Sequence, residues 1–255
     1  MLLALDIGNT NVTLGVFQDE AIKATWRMAT DARRMADEYA LIVANLLPLK
    51  GISPQAITDI AICSVVPPLT SVFEEVARSF FRVTPLVVGG GVKTGVRILY
   101  DPPRDVGADR VVDAAAAFRL YGGPVIIVDF GTATVFDAVT REGDYLGGAI
   151  APGLNVAAES LFLSTSQLRR VELQRPKLAI GRNTIASMQS GLVFGHIDLV
   201  RGMVKRFKQE LGEDSKVVAT GGLAAFIAQE AGLFDAVNPD LTLIGLKIVY
   251  QINSS

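Results

Sequence analysis

One pattern occurs twice in this sequence, and it constrains the fold more than any other feature. In each copy an apolar run ends in Asp-x-Gly, a short polar cluster follows, and a second apolar stretch leads to a turn. The first copy spans residues 2–17 and the second spans residues 126–139. The pattern predicts two β-hairpins, each with a carboxylate, a glycine and backbone N–H groups at its tip. Such tips can hold phosphate and its metal ion, so we expect two similar lobes that face a shared nucleotide-binding cleft.

Composition argues against several classes of protein. The chain has 255 residues, half of them hydrophobic, and a net charge of −2. It has no dense Lys/Arg tract, so we expect no nucleic-acid partner. Its apolar runs fall short of the ~20 residues that span a bilayer, so we expect no membrane partner. Asp6 follows the first residue too closely for a signal peptide, and a single cysteine suits a reducing compartment, which together predict a cytoplasmic protein.

The chain offers few groups for nucleophilic catalysis. Its one cysteine, Cys63, lies in an apolar run that reads as a buried strand, and a small buried side chain is the better interpretation there. Its one histidine, His196, lies in a helical stretch without a nucleophile-elbow pattern, so we interpret it as structural. A His/Asp/Ser triad built on His196 nevertheless stays open from the sequence alone.

Outside the two hairpins, strands and helices alternate, which favours an α/β fold. The periodicity predicts helices over 30–47, 69–81, 108–120, 154–163, 185–211, 223–231 and 241–252, and strands over 57–66, 85–88, 145–151 and 216–220. The helix at 108–120 contains four consecutive alanines, Ala114 to Ala117. We expect it to connect the lobes, with domains at 1–116 and 117–255.

Two shorter segments add candidate anion sites. Thr220-Gly221-Gly222 lies between a strand and a helix, where backbone N–H groups can approach an anion. Gly107 to Arg110 places an acid and a guanidinium at a helix start, and Arg can grip a carboxylate or phosphate bidentately. Taken alone, each segment could equally be an ordinary turn or first helical turn. Neither a Walker A motif nor GxGxxG opening a βαβ unit is present, which argues against Walker-type NTPases and nicotinamide-binding enzymes.

Together these segments resemble type III pantothenate kinase, a family of the acetate and sugar kinase, Hsp70 and actin superfamily. The resemblance covers essentially the whole chain. The segments that carry it are Asp6 to Asn11, Gly107 to Arg110, Asp129 to Thr134, Tyr145 to Gly148, Ala151 to Gly153, Asn183-Thr184, Gln189 to Gly191 and Thr220 to Gly222. One departure is Val135, where the family more often has threonine.

The resemblance implies a fold and a reaction. It implies two ribonuclease-H-like, actin-like ATPase domains with a cleft between them, and a homodimer formed through the C-terminal domain. It also implies ATP-dependent phosphorylation of pantothenate to 4'-phosphopantothenate, the first step of coenzyme A biosynthesis. Mg²⁺ would accompany ATP, and K⁺ or NH₄⁺ would serve as a monovalent cation.

Residue roles also follow from the resemblance, position by position. Asp109 resembles the base that takes the hydroxyl proton, and Asp129 resembles the ligand of the monovalent cation. The implied ATP contacts are Asp6, Ile7, Gly8, Asn9, Thr10, Asn11, Val12, Thr13 and Thr132. The implied pantothenate contacts are Tyr100, Gly107, Ala108, Asp109, Arg110 and Thr184, with Thr184 reaching across the dimer.

Two other functions stay open from the residues. Another small-molecule kinase of the same superfamily would keep both hairpins and replace the segment from Gly107 to Arg110. A non-enzymatic, nucleotide-switched protein of the actin type would not need Asp109, and it would polymerise when nucleotide is added.

Overall fold

The computed structural model describes residues 1–254, and the chain divides into two compact units. The first unit contains Met1–Ala116 together with the chain from Leu241 onward, and the second contains Ala117–Asp240. Each unit combines one sheet with helices. The predicted α/β class is therefore confirmed.

The first unit begins with a hairpin followed by a third antiparallel strand. Its elements are β1 (Leu2–Ile7), β2 (Asn11–Gln18), β3 (Ala21–Ala29), α1 (Ala36–Leu46), β4 (Asp59–Ser64), α2 (Pro67–Glu75), β5 (Leu86–Val87) and β6 (Arg97–Ile98). The sheet order is β3-β2-β1-β4-β5, with β1 antiparallel to β2 and parallel to β4. β1 and β4 are almost entirely buried, as expected for strands covered on both faces.

The first helix turn after β4 differs from the sequence-based expectation. The sequence predicted a helix from Leu69, with Pro67 and Pro68 ending the preceding strand. In the structure the two prolines form the first turn of α2, where a missing N–H costs little because that donor has no intrahelical partner. The helix then continues as a π-helical turn to Phe80.

The second unit repeats the topology of the first. Helix α3 (Ala108–Tyr121) leads into β7 (Val125–Phe130), β8 (Ala133–Val139), β9 (Asp144–Pro152), α4 (Leu154–Leu163), α5 (Thr184–Leu211), β10 (Lys216–Thr220), α6 (Ala224–Ala231) and β11 (Ala236–Val237). The strands of this unit follow the order β9-β8-β7-β10-β11. β7 is antiparallel to β8 and parallel to β10. Both units thus have the strand order and directions of a ribonuclease-H-like fold.

The last helix, α7 (Leu241–Asn253), packs in the first unit. Leu243, Leu246 and Val249 join a buried apolar cluster with Ala4 of β1 and Cys63 of β4. The sequence-based division placed residues 117–255 in the second domain, whereas the structure returns the chain to the first unit at Leu241. An amphipathic helix shows in sequence that one face must be buried, but not against which sheet.

Three strands escaped the sequence analysis: β3, β6 and β11. β3 alternates between exposed and more buried positions, and β6 and β11 have two residues each, too few for a periodic signal. Within residues 1–254, no helix combines the length and apolarity that a membrane span requires.

Candidate functional site

The first predicted phosphate loop is a hairpin tip between β1 and β2. Asp6 pairs with Thr13 in the ladder, and Gly8 N–H donates to the Asn11 carbonyl at 3.0 Å. The tip from Asn9 to Asn11 is exposed. A carboxylate therefore lies just below an exposed, polar turn, as the repeated pattern predicts.

A threonine from outside the motif secures this tip. The Thr30 hydroxyl donates to the Gly8 carbonyl at 2.6 Å, and the Thr30 N–H donates to the Thr10 carbonyl at 3.0 Å. Thr30 directly follows β3, so the third strand fixes the loop that the first two strands form. The sequence analysis missed Thr30 because it missed β3, although the alternation along Ala21–Ala29 was a signal that could have predicted that strand.

The second hairpin tip has the same construction with a shorter turn. Asp129 pairs with Val135, and Gly131 N–H donates to the Ala133 carbonyl at 3.0 Å. Thr132 is exposed at the tip. Val135, the departure from the family pattern, takes the ladder position that Thr13 takes in the first hairpin.

Main-chain groups secure the second tip. The N–H of Gly153, at the start of α4, donates to the Thr132 carbonyl at 3.1 Å. The N–H of Leu223 donates to the Phe130 carbonyl at 3.3 Å. A Cβ on Gly221, whose φ is +88°, would overlap the Asp129 carboxylate and the backbone of Phe130. The Gly221-Gly222 turn is therefore part of the second hairpin's surroundings, and position 221 requires glycine.

Asp109 lies in the first turn of α3, beside the carboxyl ends of β1 and β4. A Cβ on Gly107 would lie 3.6 Å from Val65 Cγ1, and Val65 N–H donates to the Ile7 carbonyl at 3.1 Å. These contacts bring the start of α3 to the edge of the sheet where β1 ends, one residue after Asp6. The first hairpin and the segment from Gly107 to Arg110 therefore meet within one unit.

The buried thiol of Cys63 lies near the same carboxylates, those at the carboxyl end of β1 and the start of α3. Cys63 is the parallel-strand partner of Asp6 and is fully buried, as the sequence predicted. Burial raises its pKa well above the ordinary value, and the charges of Asp6, Asp109 and Asp113 raise it further. A thiol in such surroundings stays protonated and unreactive.

The carboxyl group of Asp109 has a perturbed pKa. Burial raises its pKa above the ordinary aspartate value, and a hydrogen bond from the Arg110 N–H, at 2.8 Å, partly opposes that rise together with the Arg110 charge. Desolvation makes a carboxylate a stronger proton acceptor, so this group is better suited to take a proton than an exposed aspartate.

Two further predicted substrate contacts lie in the first unit. The guanidinium carbon of Arg110 lies 5.9 Å from the centroid of the Tyr100 ring, a cation–π arrangement. Ala108 precedes Asp109 in the same helical turn. Tyr100 and the segment from Gly107 to Arg110 are thus neighbours, although the connecting loop contains two prolines.

Thr184 lies in the second unit, at the first position of the 28-residue helix α5. Asn183 caps this helix by accepting a hydrogen bond from Ala186 N–H at 2.8 Å. An open cavity of about 440 Å³ is lined by Asn183, Thr184, Ile185, Ala186 and Gln189. The positive end of a long helix dipole therefore faces an accessible hollow beside Thr184.

The side chains of this site suit a metal ion that is bound mainly by phosphates and water, with one carboxylate from the protein. Across residues 1–254, no group of three or more His, Cys, Asp or Glu side chains is arranged to hold a metal ion. Mg²⁺ in kinases is commonly bound by one or two carboxylates plus phosphates and waters. Asp6, at the base of the first tip, can supply such a carboxylate.

Comparison with known proteins identifies the family. The family described as "Type III pantothenate kinase" matches residues 2–206. A type III pantothenate kinase of Dehalococcoides mccartyi strain 195 is 52% identical over 254 residues, covering 100% of this chain and 98% of that protein. One of Roseiflexus sp. strain RS-1 is 51% identical and is covered completely, as is this chain. The chain belongs to the type III pantothenate kinase family. It is therefore a kinase, which uses ATP with a divalent metal ion.

Solved structures share the fold at low sequence identity. A putative Baf family transcriptional activator from Campylobacter jejuni has a TM-score of 0.61 at 19% identity, covering 99% of this chain and 98% of that one. The ROK hexokinase from Thermus thermophilus has a TM-score of 0.54 at 13% identity, covering 100% and 99%. At these identities the likeness concerns the fold alone, and it agrees with the predicted actin-like ATPase fold.

Proposed function

We propose that this protein phosphorylates pantothenate with ATP to give 4'-phosphopantothenate, the first step of coenzyme A biosynthesis. Family membership at about half identity over the whole chain carries the proposal. The surroundings of Asp109 support it, because a desolvated carboxylate at a helix start suits deprotonation of an alcohol.

In this reaction Asp109 takes the proton of the pantothenate hydroxyl. The resulting oxygen attacks the γ-phosphorus of ATP, the bond from that phosphorus to the bridging oxygen breaks, and ADP leaves. Phosphoryl transfer needs alignment and charge stabilisation rather than covalent catalysis. A chain with one histidine and one cysteine can meet that need with carboxylates, glycines and arginine.

The first hairpin is the proposed ATP phosphate site. The residues assigned to it are Asp6, Ile7, Gly8, Asn9, Thr10, Asn11, Val12 and Thr13. Asp6 would hold the magnesium ion directly or through water, and that ion would offset phosphate charge. Thr132, at the tip of the second hairpin, is a further proposed ATP contact. The exposure of both tips and the hydrogen bonds that fix their carbonyls support this assignment.

Pantothenate would contact Tyr100 and the segment from Gly107 to Arg110. Its carboxylate is a fitting partner for the Arg110 guanidinium, whose orientation the Tyr100 ring restrains. Thr184, from a second copy of the chain, would complete the substrate site. The helix start beside Thr184 favours an anionic ligand.

Asp129 is the proposed ligand of a potassium or ammonium ion. Gly221 packs directly against this carboxylate, since a Cβ there would overlap Asp129 Oδ1, and this packing helps to hold the carboxylate at the second hairpin tip. A positive charge would help two anionic reactants to bind together, because pantothenate carries a carboxylate and ATP several charges.

A homodimer and a cytoplasmic location complete the proposal. The second unit exposes large apolar side chains, including Ile150 at 66% and Ile180 at 83%. Exposed apolar surface is typical of an interaction site, and a second copy is the occupant that the family implies. Sedimentation of the purified chain should give the mass of a dimer, and Ile180→Asp should shift it toward the monomer.

A coupled ADP-release assay tests the reaction. We expect ADP release in potassium buffer with pantothenate, and only background with glucose, acetate or no acceptor. Mass spectrometry should then find a product that is one phosphoryl group heavier than pantothenate. Release with a sugar or acetate but not with pantothenate would overturn the substrate assignment. Nucleotide-dependent polymerisation without turnover would favour the actin-type alternative.

A further inference from the structure

We propose that His196 is a positioning residue, which holds the second hairpin in its ATP-binding geometry through Thr134. The inference rests on the proposed function, because it takes the tip at Thr132 to contact ATP. His196 lies in helix α5 and has no part in the proposed proton transfer.

The contact links the helix to the base of the hairpin. His196 Nε2 lies 3.0 Å from the Thr134 hydroxyl oxygen. Its ring also lies 6.2 Å, centroid to centroid, from the ring of Phe130, at an angle of 60°. Phe130 and Thr134 are direct partners across β7 and β8. His196 therefore contacts both strands where they enter the turn that carries Thr132.

Because both side chains are buried, water cannot replace this hydrogen bond. Thr134 is 1% exposed and His196 is 7% exposed, within the apolar cluster formed by residues such as Val193 and Ile197. A buried hydroxyl without its partner loses its hydrogen bond and gains no water in return. Burial also lowers the pKa of His196, so the ring is neutral at pH 7 and forms one hydrogen bond with the hydroxyl in either tautomer.

The first hairpin provides the contrast. At the matching ladder position, Ile7 pairs with Val12, and both are fully buried. The base of the first hairpin is held only by apolar packing, which fixes the distance between its two strands but not the orientation of their side chains. The base of the second hairpin has the hydrogen bond between Thr134 and His196 instead. Such a polar contact allows one arrangement of the strands rather than several. Because Thr132 and Thr134 are two residues apart, a shift of the anchor moves the proposed ATP contact.

Four single variants and one double variant test this role. His196→Leu and Thr134→Val remove the hydrogen bond with little change of size, while His196→Gln and Thr134→Ser keep a polar partner. The probes are titration of Mg·ATP without pantothenate, KM values for both substrates, and Tm. We expect each of the first two variants to weaken Mg·ATP binding roughly tenfold, with the KM for pantothenate within about twofold of wild type. The two conservative variants should bind nearly as wild type does.

The double variant and a control separate positioning from packing. His196→Leu/Thr134→Val should bind Mg·ATP no more weakly than the worse single variant, since both remove one interaction. Val204→Ala, a buried position of α5 two helical turns further on, should lower Tm without changing Mg·ATP binding.

Several outcomes would overturn the inference. These are a lowered Tm with unchanged Mg·ATP affinity in both single variants, additive losses in the double variant, or equal losses in Val204→Ala. If His196→Leu fails to fold, the Mg·ATP affinities of Thr134→Val and Thr134→Ser test the inference in its place. If the wild-type chain binds Mg·ATP but does not phosphorylate pantothenate, the proposed function is wrong, and the Mg·ATP titrations of the variants still test the role of His196.

Discussion

The two hairpins have the same strand order but are stabilised by different groups. Thr30, a side chain at the end of β3, secures the first tip, whereas the main-chain N–H groups of Gly153 and Leu223 secure the second. The first base is closed by an apolar pair, and the second by the hydrogen bond between Thr134 and His196. One topology therefore supports two loops whose local requirements differ.

Their neighbours differ as well. The carboxyl edge beside the first hairpin receives the start of α3 and with it Asp109. The edge beside the second receives the Gly221-Gly222 turn, which packs on Asp129. A duplicated scaffold can thus place Asp109 beside one hairpin and a tightly packed glycine turn beside the other.

The largest expected effect is at Asp109. Asp109→Asn removes the proton acceptor and keeps the shape, so kcat with pantothenate should fall about 100- to 10,000-fold, while Mg·ATP binding stays near wild type. Asp105→Asn is the matched control, because Asp105 is an exposed acid four residues earlier. Turnover of Asp109→Asn within a few-fold of wild type would show that this carboxylate is not the base.

The pH dependence of the wild-type enzyme gives a second test of Asp109. Burial raises its pKa, and a base works only when deprotonated. The profile of kcat/KM for pantothenate should therefore rise with pH through an apparent pKa above that of an ordinary aspartate, and flatten at higher pH. An acid limb at or below the ordinary aspartate pKa would contradict the desolvated base.

The sequence predicted the two hairpins and several other elements well because their physical causes are local. Helix α4 and strand β10 have the predicted bounds, since their apolar runs end at turn residues. The placement of α7 was missed because it depends on packing against a sheet that is distant in sequence. β3 and the Thr30 that follows it were missed although β3 pairs with the adjacent β2 and alternates in burial. The role proposed for His196 also depends on which strand its helix crosses, and a lone histidine in a helical pattern carries no such information.

At Asp6, beside the first hairpin tip, we expect a substitution to change how the rate depends on magnesium. Asp6→Asn should raise the Mg·ATP concentration needed for half-maximal rate, by about tenfold or more, because a neutral amide binds Mg²⁺ more weakly than a carboxylate. The free energy of unfolding should change little. Titration of the rate with Mg²⁺ at fixed ATP measures the effect, and an unaltered dependence would remove Asp6 from the metal's surroundings.

At Asp129 the comparison predicts a monovalent-cation effect instead. We expect wild-type turnover to be roughly tenfold higher in potassium or ammonium buffer than in matched sodium buffer, and Asp129→Ala to flatten that difference. Asp6→Asn should keep the potassium response, which makes it the internal control. Equal wild-type rates in sodium and potassium would reject the cation site at Asp129 and leave the kinase assignment standing.

The smallest expected effect concerns how the first tip is held. Thr30→Val removes the hydroxyl that donates to the Gly8 carbonyl and keeps the N–H that donates to the Thr10 carbonyl. Losing one of two anchors should raise the KM for Mg·ATP a few-fold, leave kcat nearly unchanged and lower Tm by about 2–4 °C, as for a hydrogen bond of about 1 kcal/mol.

Thr25→Val, at an exposed position of β3, should change neither the KM nor the Tm appreciably. If Thr30→Val lowers Tm but leaves the KM for Mg·ATP unchanged, the anchor serves the fold only. The first hairpin would then be set by the apolar pairing at its base, whereas the second depends on the anchor at His196. If Thr30→Val and Thr134→Val both raise that KM, each tip needs a threonine hydroxyl, which the residue after β3 supplies in the first unit and β8 supplies in the second.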